Sequence, residues 1–313
     1  PLLCLIKIRS LLILYKSIFQ LNMKIYDCFM FFDEEMLLDL RLNIMDKYVD
    51  KFVITEATYM HSGEPKKLSF DIKKFKNFED KIIYIIVDDQ PKNLIKINSY
   101  DDEDTKLKKM TDNAKRREIH QINKVNEGLM DSDPNDIIII SDLDEIPNLK
   151  NLNFEAIKEK IIFFKQKMYY YKLNLLYETF DWYGSKACKK KYFHLPEQLR
   201  SSKNKKYPLW RLDILFSKFK HYSIRFINDG GWHFSNIKTP EELEKKMLNF
   251  LHHVDYKQSG LTLEDLKKLM IEKKVMYDHT IDKKKNKWKE GKRLKTSKLT
   301  EMPDYINENI SKY

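Results

Sequence analysis

Four consecutive isoleucines, Ile137 to Ile140, constrain the fold of this 313-residue chain more than any other feature. A strand turns successive side chains to opposite faces, so an unbroken apolar run must be covered on both of them. Strands of that kind are typical of the centre of a parallel sheet with helices on each side. The sequence therefore predicts an α/β protein with a buried central strand over residues 136–141.

Strand-like and helix-like patterns alternate on the N-terminal side of this run. Strands are predicted over residues 25–32, 51–56 and 81–87, and amphipathic helices over residues 34–48 and 106–130. Because strand–helix–strand units join parallel strands, we predict a doubly wound, mainly parallel sheet flanked by helices. The acidic residues 101–104 are expected to form a solvated loop.

After Pro147 the pattern changes to strands rich in tyrosine and phenylalanine. These strands are predicted over residues 161–164, 168–177 and 222–227, and helices follow over residues 240–250 and 263–274. We expect this second half to extend the sheet as a mixed layer and to build a pocket beside it.

The net charge of +11 is concentrated at the two ends of the chain. Residues 1–22 carry +3 and residues 283–298 carry +8, which leaves the rest of the chain neutral. A nucleic-acid groove needs basic residues in the folded body, so no specific nucleic-acid partner is expected. We divide the chain into a leader or weak anchor at residues 1–22, a main domain at 23–280 and a solvated basic tail at 281–313. Leader and tail are the segments through which membrane contact is predicted.

Two carboxylates follow the isoleucine run directly. Asp142 and Asp144 share a face if the backbone stays extended, and they lie where parallel sheets bind ligands, at the carboxyl ends of the strands. Carboxylate oxygens suit a hard cation, Mn²⁺ or Mg²⁺. The seven glycines form neither of the common loops that cradle dinucleotides and phosphates, so a metal held by this pair is the predicted phosphate-binding device. The alternative is an acidic turn that caps a helix.

A second motif, residues 229–235, combines an acid, two glycines, a tryptophan and a histidine. The glycines would let the backbone approach a ligand closely, and Trp232 offers a flat face for a sugar. His233 is a candidate third metal ligand or phosphate donor, and Asp229 is the candidate base for an acceptor hydroxyl. The alternative is a turn with a buried tryptophan and a structural histidine.

Three further residues are weaker candidates. Glu56, at the end of a predicted strand, is a candidate for holding a nucleotide's base or ribose. Arg116 lies in a basic run on the long helix and is a candidate phosphate contact, with a solvated helix face as the alternative. Glu145 directly follows the acidic pair and is a second candidate catalytic residue.

Four segments, residues 26–32, 50–56, 140–147 and 231–235, lie in one coherent order (YDCFMFF, DKFVITE, ISDLDEIP and GWHFS). Together they resemble glycosyltransferase family 17, the β-1,4-mannosyl-glycoprotein 4-β-N-acetylglucosaminyltransferase family, which acts in N-glycan processing. The resemblance implies a GT-A-like fold whose second half is the acceptor side. It also implies a metal-dependent, inverting transfer of GlcNAc from UDP-GlcNAc, a nucleotide-sugar donor, to a glycan acceptor. Asp142 and Asp144 then become the pair that holds Mn²⁺ and the diphosphate.

Two other classes stay open. Haloacid-dehalogenase phosphatases also place two aspartates after an apolar strand, but their motif continues to Thr or Val near the N-terminus, whereas Glu145 and Ile146 follow here. A non-enzymatic carbohydrate-binding protein would fit the aromatic and basic content. The compartment depends on residues 1–22: a chain that starts at Met23 is expected in the cytoplasm, and a genuine signal anchor predicts a membrane-anchored, Golgi-like protein.

Overall fold

The computed structural model describes residues 23–249, 253–280, 287–288 and 291–312, and the predicted leader lies outside these ranges. The strands are β1 (Ile25–Phe31), β2 (Lys51–Ala57), β3 (Ile82–Val87), β4 (Ile137–Ile140), β5 (Glu145–Pro147), β6 (Ile161–Phe164), β7 (Gln166–Tyr170), β8 (Leu175–Trp182), β9 (Lys186–Lys189), β10 (Ile224–Ile227), β11 (Gly231–Ser235) and β12 (Lys295–Thr296). The α-helices are α1 (Glu35–Met45), α2 (Glu103–Asn123), α3 (Pro196–Arg200), α4 (Pro240–Asn249), α5 (His253–Ser259), α6 (Leu263–Ile271) and α7 (Asp304–Glu308).

The isoleucine strand β4 lies in the middle of a seven-stranded sheet with the order β10-β6-β9-β4-β1-β2-β3. Ile137 and Ile139 pack into the hydrophobic core on one face, and Ile138 and Ile140 pack into the core on the other. The prediction of a strand buried on both faces is therefore confirmed. Four of the six strand pairings are parallel, and the two antiparallel ones both involve β9.

A second, five-stranded sheet has the order β12-β8-β7-β11-β5 and is also mixed. The second half of the chain thus both extends the first sheet and builds a separate one. The single strand predicted over residues 168–177 is instead the hairpin of β7 and β8. Its chain reverses near Tyr171, which takes a left-handed backbone conformation with φ of 65°. The mainly apolar and aromatic sequence, interrupted only by Lys172 and Asn174, concealed that turn.

Two further expectations are corrected by the structure. Residues 101–104 were expected to be a loop, but Asp102 caps α2 by accepting the backbone N–H of Thr105 at 2.7 Å, and Glu103 begins the helix. Acidic residues are favourable there because the helix N-terminus carries partial positive charge.

Parts of the basic tail pack against the folded protein where the structure describes it, while its basic residues Lys292, Arg293 and Lys295 are exposed. Leu294 is buried against the second sheet, and Met302 and Ile306 are buried in the main core beside α1. Within the described residues, no helix is long and apolar enough to cross a membrane.

A buried ion pair joins α1 to β1. Arg41 lies on the apolar face of α1, and its guanidinium donates to both carboxylate oxygens of Asp27, at 2.8 and 2.6 Å, with neither side chain exposed. The remaining Nη1 donates to the carbonyls of Asp142, Leu143 and Glu145, at 3.0, 3.1 and 2.7 Å. The backbone of the turn that carries the acidic pair is therefore held by the Arg41 side chain.

We expect Arg41→Met to lower the free energy of unfolding by about 3–5 kcal/mol, because it leaves Asp27 charged and buried without a partner. Urea unfolding followed by circular dichroism measures this change. The double variant Asp27→Leu/Arg41→Met removes both charges and should recover part of the loss, although the carbonyls of Asp142, Leu143 and Glu145 lose the donor that Arg41 supplied. A single variant as stable as the wild type would contradict this account.

Candidate active site

The carboxyl ends of β1, β2 and β4 open onto a cavity of about 450 Å³, which we call the first cavity. Both candidate metal-binding aspartates line it, as does His233 from β11. Its other charged and polar side chains include Glu34, His61, Lys66, Glu118, Gln121, Arg200, Asn236 and Lys246. The sheet edge that sequence reasoning selected is therefore the edge at which a cavity forms.

Asp142 is held by an arginine that the sequence reading did not single out. The guanidinium of Arg200, at the end of α3, donates to both carboxylate oxygens of Asp142 at 3.0 Å and to Glu118 of α2 at 3.1 Å. Burial opposes the charge of Arg200, but the carboxylates of Asp142 and Glu118 hold its pKa well above the usual value. About a third of the Asp142 side chain remains exposed toward the cavity.

Asp144 pairs with His233 across the turn. Strand β11 runs antiparallel to β5 with His233 opposite Glu145, so the imidazole Nε2 lies 3.6 Å from the Asp144 carboxylate. Burial alone would raise the pKa of Asp144, yet the neighbouring His233 holds it at about 2. Burial likewise opposes the charge of His233, but Asp144 raises its pKa overall. The imidazole Nδ1 is buried and has no hydrogen-bond partner among the described residues.

Glu145, a candidate catalytic residue, does not line the first cavity. Its carboxylate accepts the backbone N–H of Asp142 at 2.8 Å and the indole N–H of Trp182 at 2.5 Å. Burial, together with the nearby Asp142 carboxylate, raises the pKa of Glu145. Gly184 leaves room for this carboxylate, since a Cβ there would lie 2.0 Å from its Oε1. These contacts make Glu145 a residue that positions Asp142 and Trp182.

The second motif is divided between two cavities. Side chains alternate along β11, so Trp232 faces away from His233 and lines a second cavity of about 490 Å³. Its indole donates to the carbonyl of Glu301 at 3.0 Å. Asp229 lines the same second cavity, where it accepts a hydrogen bond from Asn148 at 3.3 Å. The structure therefore does not bring Trp232 and Asp229 together with the acidic pair.

The two glycines of that motif serve packing. A Cβ on Gly230 would lie 2.4 Å from the backbone nitrogen of Lys165, and one on Gly231 would lie 2.2 Å from the carbonyl of Ile146. Gly231 also has φ of 117°, which side chains rarely tolerate. Both positions allow close approach of backbone to backbone, where the sequence had suggested approach to a ligand.

Glu56 has a different role from the one expected. Its buried carboxylate accepts hydrogen bonds from the N–H groups of Ser69 and Phe70, from the hydroxyl of Tyr84 and from Lys66. With four donors it anchors the loop after β2, and it does not line either cavity. Arg116 is half-buried on α2 and does not line either cavity.

Two charged residues of the first cavity, Glu118 and Lys246, were not among the candidates from the sequence. Glu118 lies four residues from both Ala114 and Ile122 on the buried face of α2, so it interrupts an apolar stripe. Lys246 of α4 forms an ion pair with Glu34 at 3.2 Å and comes from a segment about 100 residues beyond the acidic pair. Only the tertiary fold brings such residues together.

The acidic pair fits a metal ion that shares its ligands with a substrate. Among the described residues no three His, Cys, Asp or Glu side chains are grouped so as to enclose an ion. Asp142 and Asp144 nevertheless both reach the cavity wall. Mg²⁺ and similar ions are commonly bound by one or two carboxylates, with waters and substrate phosphates as the other ligands.

Two mixed sheets flanked by helices are the architecture expected of a glycosyltransferase of GT-A-like fold. The chain belongs to glycosyltransferase family 17, because the model of that family matches residues 15–313. This match favours a glycosyltransferase over the phosphatase and binding-protein alternatives. No curated protein matches the chain.

We expect Glu145→Gln to lower the free energy of unfolding by about 1–3 kcal/mol. Glutamine offers one acceptor oxygen in place of two, so its amide nitrogen would face either the N–H of Asp142 or the indole of Trp182. Urea unfolding measures the change. The matched control is Glu178→Gln, on an exposed carboxylate that pairs with Lys295. If both substitutions lowered the free energy of unfolding equally, the buried hydrogen bonds of Glu145 would add no stability beyond that of an exposed carboxylate.

Proposed function

We propose that this glycosyltransferase moves N-acetylglucosamine from UDP-GlcNAc to a hydroxyl of a glycan acceptor, with inversion at the anomeric carbon and with Mn²⁺ or Mg²⁺ as cofactor. The observation that carries the proposal is the position of Asp142 and Asp144 on the wall of a cavity of about 450 Å³. That volume is in the range of small-molecule sites. The donor and the inverting course are those that the sequence resemblance to family 17 implies.

In this proposal Asp142 and Asp144 would hold the metal ion, which commonly takes its other ligands from water and substrate phosphates. When bound, the ion would offset the negative charge of the departing diphosphate. The protein orients the pair: Arg200 fixes the carboxylate of Asp142, and Arg41 fixes the backbone of the turn.

Cationic side chains on the cavity wall support a diphosphate ligand. Arg200, Lys66 and Lys246 all line the first cavity, and each forms an ion pair with a carboxylate. They are therefore fixed in place before a ligand arrives, which lowers the cost of ordering them on binding. We propose these three, in place of Arg116, as the contacts to donor phosphates.

Aromatic side chains on the cavity wall suit the flat parts of the donor. Trp182, Tyr277 and Trp288 line the first cavity and could stack against a uracil ring or a sugar face. An aromatic wall also excludes water from the reacting carbon, which favours transfer over hydrolysis.

The acceptor hydroxyl must lose a proton as it attacks the anomeric carbon. Asp229, the candidate base from the sequence, lines the second cavity. We therefore propose that a carboxylate of the first cavity accepts this proton.

The donor proposal is tested by measuring UDP release from a panel of UDP-sugars, with glycan acceptors, in the presence of Mn²⁺ or of a chelator. Release that is greatest with UDP-GlcNAc and is abolished by chelation is expected. Equal release after chelation would contradict the metal, and preference for another sugar would contradict the donor.

We expect Asp144→Asn to reduce sugar transfer at saturating Mn²⁺ by about a hundredfold or more, because the amide loses the negative charge that binds the ion. The substitution keeps the shape of the side chain, and circular dichroism confirms the fold. Asp181→Asn removes an exposed carboxylate that pairs with Lys165, and it should leave transfer unchanged. Wild-type transfer and metal dependence in Asp144→Asn would refute the assignment.

We expect Asp229→Asn to leave transfer within about twofold of the wild type, since effects of general bases are typically about 10²–10⁴-fold and this residue lies in the other cavity. The measurement is kcat for transfer at saturating donor and acceptor. A loss of a hundredfold or more would restore Asp229 as the base.

A further inference from the structure

We infer that the loop of residues 203–220 binds the surface of an anionic lipid bilayer. Five large apolar side chains in this loop, Leu209, Trp210, Leu212, Leu215 and Phe216, are 71–88% exposed. Single exposed apolar residues are ordinary on protein surfaces, but five of them within the eight residues from Leu209 to Phe216 favour an interaction surface. The sequence reading assigned membrane contact to the leader and the tail, and it passed over this loop.

The loop presents these side chains from a fixed base. The backbone N–H of Lys203 donates to the carbonyl of Phe219 at 2.8 Å, and the N–H of Tyr207 donates to the carbonyl of His221 at 3.0 Å, so the two ends of the loop are joined. Ile214, in the middle of the loop, is buried between these exposed neighbours in the sequence. The five apolar side chains are thus directed outward by a closed loop.

The charge of the loop identifies the partner as an anionic surface. Residues 203–220 contain six basic side chains and one acid, Asp213. The loop therefore has a net charge of +5. Its single acid, Asp213, is already paired with Arg211 and Lys220, at 2.8 and 2.7 Å. Lysines flanking exposed Trp, Phe and Leu are the composition of interfacial membrane segments, in which the apolar groups enter the acyl boundary and the lysines face the headgroups.

Other partners fit this composition less well. The centres of protein–protein interfaces are depleted of lysine. A second copy of the chain would bring an identical loop of the same charge, and like charges repel across an interface. An anionic bilayer satisfies both the apolar and the basic side chains.

The loop is close in sequence to the active site. It begins three residues after Arg200, which holds Asp142 through two hydrogen bonds. Membrane contact at this loop would therefore hold α3, and the wall of the first cavity that it supplies, near the bilayer. The inference itself rests on the loop and does not depend on the proposed donor or acceptor.

The test is co-sedimentation of the full chain with vesicles of phosphatidylcholine alone or with about one third phosphatidylserine, at physiological salt. The wild type is expected to sediment with the anionic vesicles and to be released as salt rises. Trp210→Ser/Phe216→Ser should weaken binding by about tenfold or more, because the apolar area that enters the membrane is lost. Lys205→Glu/Lys206→Glu should weaken binding to anionic vesicles by a similar factor.

The matched control is Met130→Ser/Ile271→Ser, which removes two apolar side chains, 82% and 81% exposed, at other places on the surface. It should bind vesicles as the wild type does, and thermal unfolding shows that all variants are folded. Absence of binding to anionic vesicles, equal binding by the wild type and Trp210→Ser/Phe216→Ser, or equal binding to both vesicle types would overturn the inference. Self-association that requires Trp210 and Phe216, without vesicle binding, would assign the loop to a second copy of the chain.

Discussion

The pairing of Arg41 with Asp27 supports the rest of the active site. One guanidinium neutralises a carboxylate buried in the central sheet and donates to three carbonyls of the turn after β4. Those carbonyls lie inside the protein, where Arg41 adds a charged donor to each of them. Because the backbone of the turn is fixed, the side chains of Asp142 and Asp144 keep their places on the wall of the first cavity.

Carboxylates and cationic side chains form ion pairs around that cavity. Asp142 and Glu118 share Arg200, Asp144 pairs with His233, and Lys246 pairs with Glu34. Each carboxylate is thus stabilised by a cation before any ligand is present, which a partly buried acidic site requires. The same cations line the cavity wall, so one network of ion pairs both stabilises the carboxylates and places positive charge at the cavity.

Sequence alone predicted those parts of the molecule that depend on local pattern. The isoleucine run predicted the central strand and placed the acidic pair at the carboxyl end of that strand, where the first cavity lies. The extended backbone expected to put Asp142 and Asp144 on one face is not present, because residues 143–144 form a turn in which the N–H of Glu145 donates to the carbonyl of Asp142 at 3.0 Å. The role of Glu56 could not be predicted, since its donors come from the loop after β2 and from β3. Nor could the division of the second motif, because the two cavities on either side of β11 are formed by residues that are distant in the sequence.

Strand β11 is a common wall between the two cavities, with His233 on one side and Trp232 on the other. Its register is set where Gly231 passes so close to Ile146 that no side chain would fit. Insertion or loss of a single residue at these glycines would exchange the two rings, placing an indole beside Asp144 and an imidazole in the opposite cavity. The spacing of the motif is therefore as much a determinant of the active site as the identity of its residues.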